Sequence, residues 1–249
     1  MESYELSNSQ WDRIEGFLPG RQGWVGVTAK DNRNFVNGVL WVLRSGAQWK
    51  DLPARFGNWK SVHKRFTRWA RSGIWQRIFQ VLLDDPDNRH VMIDSTIVRA
   101  HQQSACGKGG AKGEALGRSR GGLTTKIHMV CDAQGQPMRF ALTGGQAADG
   151  PQAVPLLTGI ETGAVLADKG YESNRILAFI RSGGAMAVIP PKANRKEPWE
   201  YDRELYRQRN LIERAFNKLK HWRRVATRYD RRSIYFLSVL YLVSAVIWG

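Results

Sequence analysis

The sequence predicts an α+β protein, with an all-helical domain over residues 1–87 followed by a mixed α/β domain over residues 88–249. Two observations carry this prediction. Up to residue 82, apolar residues recur at helical spacing, and the acidic segment 84–88 ends that pattern. Beyond it, short apolar runs of strand length alternate with helical segments that begin at capping residues.

The composition indicates a polyanionic partner. The chain has 249 residues and a formal net charge of +16, which favours binding to nucleic acid. Ten Trp and 42% hydrophobic residues favour a packed globular chain over a disordered basic tail. A ribosome-like basic protein and a membrane-surface protein are the alternatives. Cys106 and Cys131 have no metal-like spacing, so we expect reduced thiols in a cytoplasmic protein.

Neither end of the chain resembles a membrane segment. The N-terminal residues are polar and acidic, unlike a signal peptide. The apolar run 234–248 is shorter than the ~20 residues that a spanning helix needs. We therefore expect a buried core helix there and no membrane partner.

The first domain contains a possible DNA-reading motif. Ser7 and Gln10 have capping-box spacing, and a second apolar helical face follows from Phe35 to Leu43. A short helix over residues 51–56, a turn at Gly57 and a basic helix beginning after Asn58 predict a helix-turn-helix. The candidate DNA contacts on that helix are Lys60, Lys64, Arg68 and Arg71. The alternative is a plain helical bundle with a solvated basic face.

The second domain reads as a strand, a hairpin, and then helices alternating with strands. The predicted elements are a strand from His90 that continues to Val98, an exposed flexible loop over 102–122, strands over 124–131 and 137–143, a helix after Asp149 as its N-cap, a strand over 164–168, a helix over 173–181, a strand over 185–189 and a long basic helix over 206–220. That order is the order of an RNase H-like domain.

Three acids are placed to meet at one edge of that sheet. Asp94 and Asp168 each end a short apolar run, and Glu213 lies on the long basic helix. Three carboxylates there could hold two Mg²⁺ ions about 3.5–4 Å apart, as two-metal phosphoryl transfer requires. Each acid also has a simpler interpretation. The two Asp residues could cap turns, and Glu213 could be an ordinary helix-surface residue paired with Arg209 or Asn217.

The basic helix adds groups that suit phosphate binding. Tyr206, Arg209, Glu213 and Lys220 stand at offsets 0, 3, 7 and 14, which places them on one face of a continuous helix. A phenol, a guanidinium and an ammonium beside a carboxylate suit phosphodiester chemistry, because the cations can hold phosphate. Trp199, in the loop before this helix, is interpreted as a loop anchor. Asp149 is the second choice for the second acid.

These motifs resemble those of DDE transposases from bacterial insertion sequences. Tyr206 to Lys220 matches the Y-(2)-R-(3)-E-(6)-K signature of the insertion-sequence-four-like superfamily at every position. The resemblance to the insertion-sequence-five family extends from about Leu6 to Trp248. The segments that show this resemblance are Ile93-Asp94-Ser-Thr, Ala167-Asp168-Lys-Gly-Tyr171, Gly38 to Gly46, Trp49 to Pro53, Arg118 to His128 and Gly145 to Gly150.

The resemblance implies a transposase that binds the terminal inverted repeats of its element, cuts the ends and joins the 3′-hydroxyls to target DNA. Asp94, Asp168 and Glu213 would be the catalytic metal ligands for two Mg²⁺ ions, with Mn²⁺ as a substitute. Tyr206, Arg209 and Lys220 would hold DNA phosphates. A homodimer or larger synaptic complex, acting in the bacterial cytoplasm at the nucleoid, is also implied.

Other functional classes stay open at this stage. A DNA-binding regulator would use the helix-turn-helix and no catalysis, although the intact acid triad argues against it. A nuclease with the same metal site is not separated from a transposase by sequence. A basic RNA-binding protein is a third alternative, but no recognisable RNA motif is present.

Overall fold

The computed structural model describes residues 5–20, 31–82, 86–106 and 110–249. The chain divides into two compact units. The helical unit comprises Met1–Asp84 and Leu219–Gly249, and the α/β unit comprises Asp85–Lys218. The predicted boundary segment 84–88 and the predicted loop 102–122 each lie partly outside the described residues.

The described elements run as follows. The helices are α1 (Asn8–Ile14), α2 (Asn32–Ser45), α3 (Trp59–Arg71), α4 (Ile74–Leu82), α5 (Gly110–Gly113), α6 (Ala153–Leu157), α7 (Asn174–Ser182), α8 (Arg203–Arg207), α9 (Asn210–Lys220), α10 (Arg223–Ala226) and α11 (Ser233–Trp248). The strands are β1 (Val91–Ala100), β2 (Gly117–Ser119), β3 (Gly122–Cys131), β4 (Pro137–Gly144), β5 (Ala164–Leu166), β6 (Met186–Val188) and β7 (Thr227–Arg228).

An aromatic cluster forms the core of the helical unit. Trp75 is fully buried, and its indole N–H donates to the Phe66 carbonyl at 3.1 Å. Its ring lies 5.2 Å from that of Trp69 and 6.1 Å from that of Phe35. Apolar residues at helical spacing on α2, α3 and α4 place these rings together, so the periodicity predicted from sequence produces the packing.

The C-terminal helix α11 belongs to this helical unit. It packs mainly against α4 and α3, because nearly every residue facing those helices is apolar. The sequence prediction had assigned residues 219–249 to the second domain; contacts within the chain instead group them with the first 84 residues. The prediction of a buried helix there is confirmed. Across the described residues, no helix has both the length and the apolar character needed to cross a membrane.

The short helix predicted over residues 51–56 is wrong. Two 3₁₀ turns, Trp49–Asp51 and Ala54–Phe56, flank Leu52 and Pro53 instead. Proline has no N–H to donate and disfavours helical backbone at the residue before it, which explains the extended Leu52 (ψ 125°). Helix α3 begins where predicted, with the Asn58 side chain accepting from the Lys60 N–H at 2.9 Å.

The α/β unit contains a mixed sheet with strand order β2-β3-β1-β5-β6, and β4 also pairs with β3. Strands β1, β3 and β4 form an antiparallel meander, and β5 and β6 continue parallel to β1. Helices α6 and α7 form the crossover connections to these parallel strands. This topology confirms the α+β class with an RNase H-like sheet.

One face of the sheet packs on the crossover helices. Alternate strand residues such as Val91, Ile93 and Val165 join side chains of α6 and α7 in one buried core. Because successive strand residues point to opposite faces, Met92 and Asp94 lie on the other face. That alternation determines which side chains can meet around Asp94.

Two further predictions need correction. The loop over 102–122 was expected to be unstructured, but it contains a 3₁₀ turn (Gln102–Cys106), α5 and β2, and Leu116 is buried. The short β2 pairs with the start of β3, which supplies order that no apolar period could reveal. The single basic helix over 206–220 is interrupted at residues 208–209, between α8 and α9.

Candidate active site

The first acid lies within a strand. Asp94 is in the middle of β1, opposite Met129 of β3, and the strand continues past it as predicted. The strand continues because residues as far as Arg99 pair with β3. The Asp94 side chain is 15% exposed, and its Oδ1 accepts the Ser95 N–H at 2.8 Å.

The second acid, Asp168, lies beside Asp94 in the register of the two parallel strands. Strands β1 and β5 are parallel, with Met92 opposite Leu166. Extending that register by two residues brings Asp168 beside Asp94 on the same face of the sheet. Asp168 lies just beyond β5, and its Oδ1 accepts the Gly170 N–H at 2.8 Å at the start of a 3₁₀ turn. Asp168 therefore caps a turn, and its carboxylate lies on the same face of the sheet as Asp94.

The third acid is joined to the first by an arginine. Arg209 lies in the turn between α8 and α9. Its Nη2 donates to Asp94 Oδ2 at 2.7 Å, and its Nη1 donates to Glu213 Oε1 at 2.6 Å. Glu213 is 53% exposed, whereas Arg209 is 16% exposed. One guanidinium thus spans a strand carboxylate and a helix carboxylate that are 119 positions apart in sequence.

The charges at this site are coupled. Burial raises the pKa of the Asp94 carboxyl, Arg209 opposes that rise, and Asp168 and Glu213 add to it. Asp94 therefore lies within the influence of the negative charges of Asp168 and Glu213, and Arg209 provides the compensating positive charge. Carboxylate oxygens of this kind are the ligands that hard divalent cations prefer.

Arg209 occupies one carboxylate oxygen of Asp94 and one of Glu213. Among the described residues, no three His, Cys, Asp or Glu side chains are grouped closely enough to hold one ion. The donor chemistry fits a divalent metal, and an ion that uses those two oxygens would have to displace Arg209 from them.

The signature residues are only partly brought together. Tyr206 is half-buried on α8, 5.5 Å edge-to-face from Tyr201, and burial raises the pKa of its phenol, with Asp168 and Asp94 contributing. Lys220 is the last residue of α9 and belongs to the helical unit, where burial lowers the pKa of its ammonium. The helix break at 208–209 removes the single continuous face that the spacing implied.

The candidate DNA contacts of α3 also belong to the helical unit. Lys60, Lys64, Arg68 and Arg71 are all exposed, opposite the buried face that carries Phe66. Arg71 additionally donates to the Tyr235 hydroxyl at 2.5 Å. A basic face is therefore available for a polyanion.

Sequence reasoning missed a polar network beside the acids. Asp149 occupies the predicted N-cap position, before the 3₁₀ turn Gly150–Gln152, but its side chain makes no capping hydrogen bond. Its Oδ1 accepts from Ser95 Oγ and from Lys126 Nζ, each at 2.8 Å. A lysine in a strand-length run, Lys126, is the one local signal for this network, because its partners are far apart in sequence.

Other acids and aromatics nearby have structural partners. Glu172 is buried and accepts from the Lys192 N–H at 3.0 Å and from Arg195 at 2.5 Å. The Trp199 indole N–H donates to the Ile189 carbonyl at 3.0 Å, and Arg195 lies over its ring. Trp199 is thus the loop anchor that the sequence predicted.

Comparison with known families gives two matches that together span most of the chain. Residues 6–79 match a family model described as a transposase of the IS4/5 family. Residues 85–246 match a model described as a transposase DDE domain. The second match covers more than half of the chain and contains Asp94, Asp168 and Glu213.

Two individual relatives are each similar to about half of the chain. A Brucella ovis protein assigned as a transposase for insertion sequence element IS6501 is 41% identical over 128 residues, covering 51% of this chain and 98% of its own length. The uncharacterized protein y4sN of Sinorhizobium fredii is 42% identical over 123 residues, covering 49% and 98%.

Among solved structures, the Mos1 mariner paired end complex with Mn aligns with a TM-score of 0.33 at 11% identity. That alignment covers 94% of this chain and 83% of the other. The similarity is too weak to support an argument, so the RNase H-like fold rests on the sheet itself. The DDE-domain match contains the sheet and its three acids, and the chain belongs to the DDE transposases of insertion sequences, in the IS4/5 family.

Proposed function

We propose that this chain binds the terminal inverted repeats of its element, cleaves the DNA at the element ends and joins the 3′ ends to target DNA. The observation that carries the proposal is the Arg209 bridge between Asp94 and Glu213, with Asp168 in register beside Asp94. An acid from each of the three motif segments contributes to one charged cluster in the DDE-matched region.

The proposed cofactor is a pair of Mg²⁺ ions, for which Mn²⁺ could substitute. Asp94, Asp168 and Glu213 would hold them, because hard divalent ions prefer carboxylate oxygens. When bound, such ions activate the attacking oxygen and stabilise the leaving oxygen of an in-line displacement. The raised pKa of the Asp94 carboxyl applies to the protein without bound metal ions.

The chain's own groups then orient the DNA. Once released from the acids, Arg209 can hold a phosphate through two parallel N–H donors. The Tyr206 phenol can donate a hydrogen bond to a phosphate oxygen, and burial raises its pKa further. Lys220 is proposed as a third phosphate contact on the strength of the family signature alone.

The basic face of α3 is the proposed reader of the element ends. Its residues Lys60, Lys64, Arg68 and Arg71 are exposed on one helix that is anchored through Phe66 and Trp69. A helix held this way can present side chains to the major groove. Because an element has two ends, we propose that a dimer or larger synaptic complex acts on double-stranded DNA at the nucleoid.

The test is cleavage and strand joining on labelled DNA that carries the element's own terminal repeat. We expect joined product with Mg²⁺ and none with EDTA. Glu213→Gln should abolish it, whereas Glu204→Gln, which alters an exposed acid on α8, should leave it unchanged. Cleavage without joining would indicate a nuclease, and specific binding without cleavage would indicate a regulator; either result contradicts the proposal.

A further inference from the structure

A polar network lies behind Asp94, on the opposite face of β1; Lys126 and His128 in it are buried, and Ser95 and Asp149 are partly exposed. Ser95 follows Asp94 in the strand, so its side chain points away from the three acids. Ser95 Oγ donates to Asp149 Oδ1 at 2.8 Å, and the Ser95 N–H donates to Asp94 Oδ1 at 2.8 Å. A single residue therefore connects the Asp149 carboxylate to the first acid.

Asp149 is itself fixed by a buried lysine. Lys126 Nζ donates to the same Asp149 oxygen at 2.8 Å and to the Ala147 carbonyl at 2.5 Å. Lys126 is only 8% exposed, in the middle of β3 and opposite Ile97 of β1. Burying a lysine in a strand is costly unless it is paired, so this pairing accounts for its position.

The rest of the network cannot replace that pairing. His128 is opposite Ser95 on the same face, and its Nε2 lies 2.8 Å from Thr143 Oγ1. Its Nδ1 is 4.0 Å from Asp149 Oδ1, too far for a hydrogen bond. Burial lowers the pKa of His128 to about 4, so the ring is neutral and Lys126 carries the balancing charge.

The network restrains β1 at Asp94 and Ser95. On its front face, Asp94 is pulled toward Arg209. On its rear face, Ser95 donates to the Asp149 carboxylate, which also accepts from Lys126 of β3. Lys126 in turn donates to the Ala147 carbonyl in the loop before α6. The Asp94–Ser95 peptide is thus restrained from both sides of the sheet.

We propose that Asp149 is a positioning residue for Asp94, acting through Ser95. It restrains the strand so that the Asp94 carboxylate stays aligned with Asp168 and Glu213 during the reaction. This inference rests on the proposed function, since it concerns the same acids. Removal of groups that orient metal-ligand side chains typically costs about 10–100-fold in activity or metal affinity.

The test compares single-turnover joining rates and DNA KM for Asp149→Ala, Ser95→Ala and the double variant. We expect Asp149→Ala to slow joining about 10–100-fold with an unchanged KM. The double variant should be no slower than Asp149→Ala, because both changes cut the same connection. Asp149→Asn, which can still accept from Ser95 Oγ, should recover part of the rate.

Asp132→Asn is the matched control. Asp132 is fully buried at the turn after β3 and accepts from the Asp87, Gln134 and Gln136 N–H groups. Its variant should lower the thermal unfolding midpoint while the rate per folded molecule stays at the wild-type value. Mn²⁺ affinity, measured without DNA, should fall in Asp149→Ala and not in Asp132→Asn.

Several outcomes would overturn the proposal. They are an unchanged rate in Asp149→Ala, a raised KM at an unchanged rate, and multiplicative losses in the double variant. If Asp149→Ala fails to fold, Ser95→Ala and Asp149→Asn decide by the same criteria. An inactive wild type would instead refute the proposed function, so the two failures are distinguishable.

Discussion

Replacing Arg209 with glutamine should destabilise the protein without metal and strengthen its binding of metal. The Arg209–Asp94 pair is largely buried, with side chains 16% and 15% exposed. At about 4 Å and an effective dielectric constant of about 20, one ion pair corresponds to about 4 kcal/mol before desolvation. Breaking a fully buried pair costs about 3–5 kcal/mol, so we expect about 2–3 kcal/mol for this partly exposed one.

The contact to Glu213 adds little to that figure. Glu213 is 53% exposed, and a surface pair at this spacing contributes about 0.3–0.5 kcal/mol. Arg207→Gln is the matched control, because Arg207 pairs with Glu204 on α8 and both are more than three-quarters exposed. Its effect on the free energy of unfolding should stay within about 0.5 kcal/mol.

Metal binding should respond in the opposite direction. In the wild type, an entering ion has to displace Arg209 from the acids, and in Arg209→Gln it does not. If displacing Arg209 costs the wild type about 1.4–2.8 kcal/mol, the variant should bind the metal ion about 10–100-fold more tightly. Urea unfolding without metal and Mn²⁺ titration by electron paramagnetic resonance measure the two effects. Equal or weaker Mn²⁺ binding in Arg209→Gln, or no loss of stability, would refute the reasoning.

Three other predictions follow from single contacts. Trp75→Ala should lower the free energy of unfolding by about 3–5 kcal/mol in a urea titration, because it empties the aromatic core. Lys64→Ala should reduce the salt dependence of DNA binding by about one unit of slope, with unchanged stability; an unchanged slope would remove Lys64 from the interface. Burial keeps His128 neutral in the folded state, with its pKa lowered to about 4 from 6.5. The unfolded chain therefore takes up the proton first, and stability should fall between pH 6.5 and 4 by up to about 3 kcal/mol. His128→Gln should flatten that decline, and an equally steep one would contradict this assignment.

Local sequence patterns predicted much of the fold. The apolar spacing from Phe35 to Leu43 and the cap at Asn58 place α2 and α3 correctly. The Asp132–Gly135 turn with its flanking alternation gives the β3–β4 hairpin, since Gly135 adopts a positive φ of 79° there. Both signals depend on residues that are neighbours in the chain, which is why sequence alone was sufficient.

Features that depend on distant partners were not predictable in this way. The break between α8 and α9 has no Gly or Pro to mark it, and Arg209 instead lies in a turn from which it reaches Asp94. Asp149 precedes a turn and so resembles a cap, yet its partners are on β1 and β3. The three acids were identified from motif order, whereas the arginine bridge between two of them required the structure.

The central claim is that Asp94, Asp168 and Glu213 hold the metal ions for strand joining. Asp168→Cys tests it most directly, because a thiolate binds Mg²⁺ poorly but is accepted better by the softer Mn²⁺. We predict that Asp168→Cys joins DNA ends with Mn²⁺ and not with Mg²⁺, whereas Asp168→Ala is inactive with both. Wild-type joining rates for Asp168→Cys in Mg²⁺ would show that this carboxylate does not hold the metal, and would contradict the account.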